Sequence, residues 1–517
     1  MPELAAKESA SQRAWRTALL FTVALTAVRV VVLFATPLDL YPDEAQYWLW
    51  SRTLDFGYYS KPPMIAWTIW ATTAAGGDAE PWVRLASPLF HAGATLAVFA
   101  TGRRLYGPQT ALAGAAFYAL MPGVQLSAAI IATDAPLLFF LALSLLAYVR
   151  MMDPAEPRPR AWVAAAFGVA LGLAFLSKYA ALYAVIGVVL HAATSRDARA
   201  AWTPKSIAAA LAAFALVLAP NLAWNAAHGF ATVQHTAANA AWGGRQLFNP
   251  AELADFIASQ FGVFGPIPFA VLIGGAAILA LRRRLTREDR LLLCFALPPL
   301  LIVATQAFIS RANANWSGAA YLPGSILAAA WLLRWGAKRW LTAAVALQAA
   351  VAILFLISCL APRVAEAMGT ANSFKRAKGW SQMTEQVIAR ARSEEDKGLS
   401  AVAVNNRFLY NTLAYYGRDY FGLPGAPPLT IWLLEAAPQN QAETTAPLTT
   451  ARGARVLAVA LEQTYRDRMA ADFVRVTDAE FVSVRLDRKR RRRAELFIGE
   501  NFAPRPRVPL SGPPTRP

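Results

Sequence analysis

Cysteine is nearly absent from this chain: two in 517 residues, Cys294 and Cys359. Both lie inside apolar runs, which excludes a disulfide framework and a cysteine metal site. Histidine is almost as scarce, and the four present, His91, His191, His228 and His235, show no metal-ligand spacing. Charge is scarce too: 16% of the residues are charged, against about 25% in an ordinary soluble domain. Hydrophobic residues make up 56% of the chain, and the mean hydropathy is +0.35. Apolar runs of about 20 residues recur, in a chain longer than the roughly 250–300 residues of a single soluble core. A soluble enzyme, a fibrous protein and a disordered chain are thereby excluded. What remains is a polytopic α-helical membrane protein. Its net charge is +18, from 50 basic and 32 acidic residues, a sign that fits contact with anionic lipid, phosphate or glycolipid and not, outside the membrane, with nucleic acid.

The apolar runs predict spans over 17–36, 82–101, 110–126, 135–149, 162–176, 179–193, 207–220, 256–281, 291–309, 317–333 and 341–360. That is about eleven transmembrane helices, each near the length that crosses the hydrocarbon layer. The connecting loops divide by charge. One set carries Arg13 and Arg16, Arg103 and Arg104, Arg150, Arg158 and Arg160, Arg196, Arg199 and Lys205, Arg282 to Arg290, and Arg334, Lys338 and Arg339. The alternate set is nearly free of basic residues. Basic loops stay in the cytoplasm, so residues 1–16 are expected inside and everything after 360 outside, in the periplasm of a bacterial inner membrane. The transmembrane domain, 17–360, then has two long outer loops, 37–81 and 221–255. Residues 361–503 have a soluble composition: 381–392 reads as an amphipathic helix, and 400–404 and 455–461 as buried strands, which together make a small C-terminal α/β domain. The Pro-rich tail 504–517 is expected to fray.

The chemistry concentrates in the first outer loop. Tyr41-Pro42-Asp43-Glu44-Ala45-Gln46-Tyr47-Trp48 follows the first span at once, and Gly57-Tyr58-Tyr59-Ser60-Lys61-Pro62-Pro63 comes shortly after. A carboxylate at the membrane surface can take a proton from a hydroxyl. Lys61 precedes two prolines that fix its backbone, and a fixed ammonium suits a phosphate. The plainer reading of the acids is helix capping, with Asp43 as the cap and Glu44 complementing the dipole.

The Asp-Glu after the first span, Tyr-Tyr-Ser-Lys-Pro-Pro and Trp82-Val83-Arg84 together resemble the GT-C membrane glycosyltransferases, and among them the bacterial relatives of protein O-mannosyltransferase and lipid A aminoarabinose transferase. The resemblance covers roughly residues 15–360. It implies a GT-C type arrangement of helices and an enzyme that takes a sugar from a polyprenyl phosphate outside the membrane. It also implies Asp43 as catalytic base, Lys61 on the carrier phosphate, and a second acid at the start of the fourth span, Asp134. The implied product is a monosaccharide joined, with inversion, to a hydroxyl of a cell-envelope acceptor such as lipid A, lipopolysaccharide core or another glycan. Two departures leave the sugar and any divalent metal open. The aminoarabinose enzymes carry an acid just before the lysine, where this chain has Ser60, and a basic residue three positions after the Asp, where it has Gln46. No other cofactor is implied.

Further candidates lie at the outer edge by topology. Arg84, Lys178, Arg245 and Arg311 offer positive charge for a departing phosphate, or snorkel beside lipid head groups. Glu44, Tyr58 and Tyr59 flank Asp43 and Lys61, and Asn313, Asn315 and Trp316 offer amides and an indole for sugar hydroxyls, or a belt residue and caps. Arg29 inside the first span is a functional suspect, unless it pairs with Asp39 or Asp134. The basic run 488–493 reads as the solvated turn of a hairpin. A transporter or flippase is the alternative function, although no internal repeat of the kind such proteins carry is visible; a non-catalytic envelope scaffold would need neither Asp-Glu nor Lys-Pro-Pro.

Overall fold

A computed structural model describes residues 2–507 other than 157, 239–246, 370 and 462, with the side chains of 2–9 and 371–373 excepted. Eight described helices are long and apolar enough to cross a membrane: Ala10–Ala35, Glu80–Tyr106, Asp134–Met152, Arg160–Ser177, Pro204–Ala227, Arg287–Ile309, Ala314–Arg334 and Lys338–Leu360. Two bent pairs, Pro108–Leu120 with Pro122–Ala129 and Pro250–Phe264 with Pro266–Leu281, and the shorter apolar helix Tyr179–Thr194 account for the other apolar runs.

Three expectations are corrected here. The run 256–281 is not one straight span; its halves meet at 118°. Gly265 sits there with φ 99°, a conformation that suits glycine, and Pro266 has no N–H to continue the first helix. The span expected to end at Pro220 runs on to Ala227, with the proline inside it. Arg29 pairs with neither Asp39 nor Asp134. Its Nη2 donates to Ala119 O at 2.6 Å and to Gln125 Oε1 at 3.2 Å. Those groups flank the break before Pro122, where helix carbonyls lose their intrahelical donors.

The basic loops gather at one end of the bundle. Arg103 Nη1 donates to Ser11 Oγ at 2.7 Å, Arg104 pairs with Asp153 at 2.7 Å and Arg287 with Asp197 at 3.4 Å. Arg334 holds Asp289 at 2.6 Å, and the same carboxylate accepts Tyr106 Oη and Trp331 Nε1. The first long loop and the C-terminal sheet occupy the other end.

That sheet has five strands, β1 (Ala401–Val404), β2 (Leu429–Ile431), β3 (Arg455–Ala460), β4 (Phe473–Arg485) and β5 (Arg491–Phe502), in the order β2-β1-β3-β5-β4. β1 runs parallel to β2 and β3, and β5 antiparallel to β3 and β4. Alternate strand residues feed two cores: Val402, Val404, Leu457 and Val459 meet Met383 and Val387 of the helix Trp380–Glu395, while Ala401, Ala403, Val456 and Ala458 meet Trp432 and Met469. Burial on both faces is why these strands read as unbroken apolar runs.

The basic run 488–493 is a turn only as far as Arg490. Asp487 Oδ1 accepts the N–H groups of Lys489 and Arg490, both at 2.8 Å, and Leu486 N donates to Arg490 O at 3.0 Å. This side-chain-closed turn lets Arg491, Arg492 and Arg493 enter β5. Arg492 is not solvated: its guanidinium carbon lies 3.4 Å from the Trp380 ring centroid, and Nη2 donates to Lys375 O and Lys378 O at 3.0 and 3.1 Å. Burial lowers its pKa to about 10.

Candidate active site

The first long loop is folded, not draped. Pro42 occupies the first turn of the helix Pro42–Ser51, where a missing N–H costs nothing. Two neighbouring acids then separate. Glu44 is buried at 1% exposure. Its Oε1 accepts Arg84 Nε at 2.9 Å and Ile131 N at 2.8 Å, and its Oε2 accepts Arg84 Nη2 and Tyr41 N, both at 2.8 Å. Arg84 also donates to the carbonyls of Leu38 and Asp39. Glu44 and Arg84, both candidates for substrate contact, therefore hold each other and the entry of the loop. Asp43 turns the other way and keeps 45% of its side chain exposed.

Lys61 is placed by the segment 52–63. Tyr58 stacks on Trp50 with ring centroids 4.8 Å apart; its hydroxyl bridges Asp55 N, Trp50 O and Thr53 O. Its side chain thus pins the loop from inside, 4% exposed. The helix Pro204–Ala227 braces the same segment, with Asn221 Nδ2 donating to Phe56 O at 2.6 Å and Trp224 packed over Gly57. Thr232 Oγ1 donates to Tyr58 O at 2.6 Å. Tyr59 faces the C-terminal domain, donating from its hydroxyl to Pro438 O at 3.1 Å and from its backbone to Gln441 Oε1 at 3.0 Å.

Lys61 is largely buried, and its pKa falls to about 8, first through burial and then through the Lys178 ammonium, against the pull of Asp43 and Asp134. Among the described residues its Nζ has no hydrogen-bond or ion-pair partner. Asp134 opens the helix Asp134–Met152. Its Oδ1 lies 2.9 Å from Lys178 Nζ, and its Oδ2 accepts Asn315 Nδ2 at 3.2 Å. Lys178 reaches it from the extended break after the helix Arg160–Ser177.

One residue of this cluster was not legible in the sequence. Arg407, at the start of the C-terminal helix Arg407–Tyr416, places Nη1 3.5 Å from Asp43 Oδ1 and 2.7 Å from Gln46 Oε1. The Asn406 cap marks that helix in the sequence; nothing there ties it to Asp43. Asn411 Nδ2 donates to the same Gln46 oxygen at 3.3 Å. The domain is seated by further bonds. Asp39 accepts Trp380 N and Ser381 Oγ at 2.7 and 2.8 Å, Tyr416 Oη accepts Leu40 N at 2.6 Å, and Tyr415 Oη donates to Asp78 O at 2.6 Å.

The structure thus brings together Asp43, Lys61, Asp134, Lys178, Asn315 and Arg407. Trp316 instead packs on Phe256, Val303 and Ala307. Asn313 is exposed before the turn Ala314–Ala320 and Arg311 is exposed beside it. Arg245 lies outside the described residues. His228 stacks on Trp224 and His235 lies against Tyr59. Among the described residues no group of three or more His, Cys, Asp or Glu is placed to hold a metal ion.

Residues 60–224 match the family of dolichyl-phosphate-mannose-protein mannosyltransferases. Over 405 residues, 78% of this chain and 83% of the relative, the sequence is 36% identical to the lipid A galacturonosyltransferase RgtD of Rhizobium johnstonii. The chain belongs to the GT-C membrane glycosyltransferases. The fold of this glycosyltransferase is that of ArnT from Cupriavidus metallidurans: TM-score 0.64 at 17% identity over 93% of this chain and 98% of the other in the apo state. Against the same protein bound to undecaprenyl phosphate the TM-score is 0.62, at 17% identity over 92% and 98%. The glycosyltransferase is accordingly a multi-pass membrane protein, and the cluster around Asp43 lies at the bundle end that carries its C-terminal sheet.

Proposed function

We propose that the protein transfers a galacturonic acid residue from a polyprenyl phosphate carrier to a hydroxyl of lipid A on the periplasmic face of the inner membrane. The observation that carries the reading is the division of labour between Asp43 and Lys61. A partly exposed carboxylate shares one cluster with a partly desolvated ammonium that has no partner among the described residues. The similarity to a lipid A galacturonosyltransferase supports the sugar and the acceptor. The segregation of basic loops to the opposite end supports a periplasmic site.

In this reading Asp43 takes the proton of the acceptor hydroxyl as its oxygen attacks the anomeric carbon. The bond from that carbon to the phosphate oxygen breaks, and the phosphate leaves with the electron pair. Lys61, assisted by Lys178, stabilises the charge that grows on it. Asp134 orients Lys178 and Asn315. A single displacement inverts the anomeric configuration. The test is reconstitution of the purified protein with polyprenyl phosphate galacturonic acid and lipid A. Mass spectrometry of the lipid should show the added uronic acid, and its linkage should be inverted relative to the donor. An unmodified lipid A, with the donor intact, overturns the reading.

A further inference from the structure

Arg407 has a more specific task than pairing with Asp43. Its ion pair there is long, 3.5 Å, with both side chains about one-third to one-half exposed, a geometry that contributes little by itself. The rest of its surroundings fix it in place: Nη1 is bound to Gln46 Oε1 at 2.7 Å, and the guanidinium carbon lies 4.5 Å from the Phe408 ring centroid. Gln46 in turn is 5% exposed and anchored by Asn411. Nη1, held by Gln46, is the nitrogen nearest the proposed base, and the Nε–Nη2 edge of the planar fork is left without an acceptor among the described residues.

The charges of the cluster point the same way. Asp134 takes up Lys178 at 2.9 Å, whereas the contact of Arg407 with Asp43 is long, so Lys61 and Arg407 are the two cations of the cluster open to a donor. A polyprenyl phosphate ester of a neutral sugar carries one negative charge, which Lys61 answers. A uronic acid adds a second, on C6, whose ring carbon C5 is joined to the anomeric carbon through the ring oxygen. A cation next to the base is therefore placed where that carboxylate falls. Arginine is the side chain whose paired donors match a carboxylate.

Resting on the galacturonosyl reading above, we infer that Arg407, supplied by the C-terminal domain, binds the carboxylate of the donor uronic acid and sets the preference for an acidic sugar. The soluble domain is then part of the donor site.

The experiment compares two donors that differ only at that carbon, polyprenyl phosphate galacturonic acid and polyprenyl phosphate galactose, with wild type, Arg407→Gln and Arg407→Lys in the full chain. Wild type should prefer the uronic donor. In Arg407→Gln the ratio of the two kcat/KM values should fall roughly 10- to 100-fold, the range of one charged hydrogen-bonded contact. Arg407→Lys should keep part of the preference. Both rates come from one preparation, so a folding defect lowers them together and cancels in the ratio; the lysine variant decides if glutamine abolishes transfer. A ratio unchanged in the variants overturns the assignment and leaves the galacturonosyl reading standing. A wild type that prefers galactose overturns both.

Discussion

Glu44 and Arg84 form a buried two-point pair, 2.8 and 2.9 Å, one residue along the chain from an aspartate that faces outward. The pair fixes the helix start at Pro42, and the helix start fixes the direction of Asp43. Neighbours that look alike in sequence thus separate into a buried strut and an exposed carboxylate.

Glu44→Gln should destabilise the protein by about 3–5 kcal/mol, because it leaves the Arg84 guanidinium buried without its counter-charge. Asp43→Asn should leave the unfolding transition unmoved while transfer falls roughly 10²–10⁴-fold. Thermal unfolding in detergent beside a transfer assay separates the two. Wild-type transfer by Asp43→Asn would remove it as the base.

Lys61 gives a pH signature. Its pKa of about 8 lies below the ordinary lysine value because burial penalises the charged form. The ammonium needed for the leaving phosphate is present below that pH and lost above it. The kcat/KM profile should therefore fall on its alkaline side with a midpoint near 8, since this ratio reports the free enzyme. Lys61→Arg should transfer more slowly but lose that limb, because guanidinium stays charged. A limb that survives the substitution belongs to another group.

Domain seating should matter to catalysis at a distance. Asp39 accepts two donors at the first turn of the helix Trp380–Glu395, the place where a carboxylate stabilises a helix. Asp39→Ala should cost about 0.5–2 kcal/mol and should raise KM for the donor by loosening Arg407. Hydrogen exchange of the helix Arg407–Tyr416 would register the loosening; unchanged exchange with unchanged KM would detach the domain from the site.

The basic hairpin should divide into one structural arginine and several replaceable ones. Arg492→Ala removes a desolvated cation–π contact, worth about 2 kcal/mol, and two backbone acceptors lose their donor. Arg491→Gln and Arg493→Gln should leave the unfolding temperature within about a degree, as exposed substitutions do. Equal effects from all three would return Arg492 to the surface.

Orientation is checked by fusion. Alkaline phosphatase joined after Leu360 should be active, because the basic loops mark the cytoplasmic end. A well-expressed but inactive fusion would invert the site.

Local composition determined much of this protein by itself. A helix long enough for a membrane is recorded as a run of apolar residues, since each span must satisfy its own backbone and face hydrocarbon. The doubly buried strands 401–404 and 455–460 and the Pro-flanked Asp43 and Lys61 are recorded locally in the same way. The tertiary structure decided what depends on partners distant in the chain. Arg407 meets Asp43 and Gln46 across some 360 residues, and no periodicity carries that information. Arg29 found a broken helix instead of an acid, because the 55° bend after Leu120 exposes a carbonyl that only packing brings near. Tyr58 pins its loop by bonding Asp55 N, Trp50 O and Thr53 O, because a hydroxyl binds whichever groups the folded loop offers. Glu44 and Asp43 are chemically alike; burial beside Arg84 makes one a strut, and the other stays 45% exposed next to Arg407.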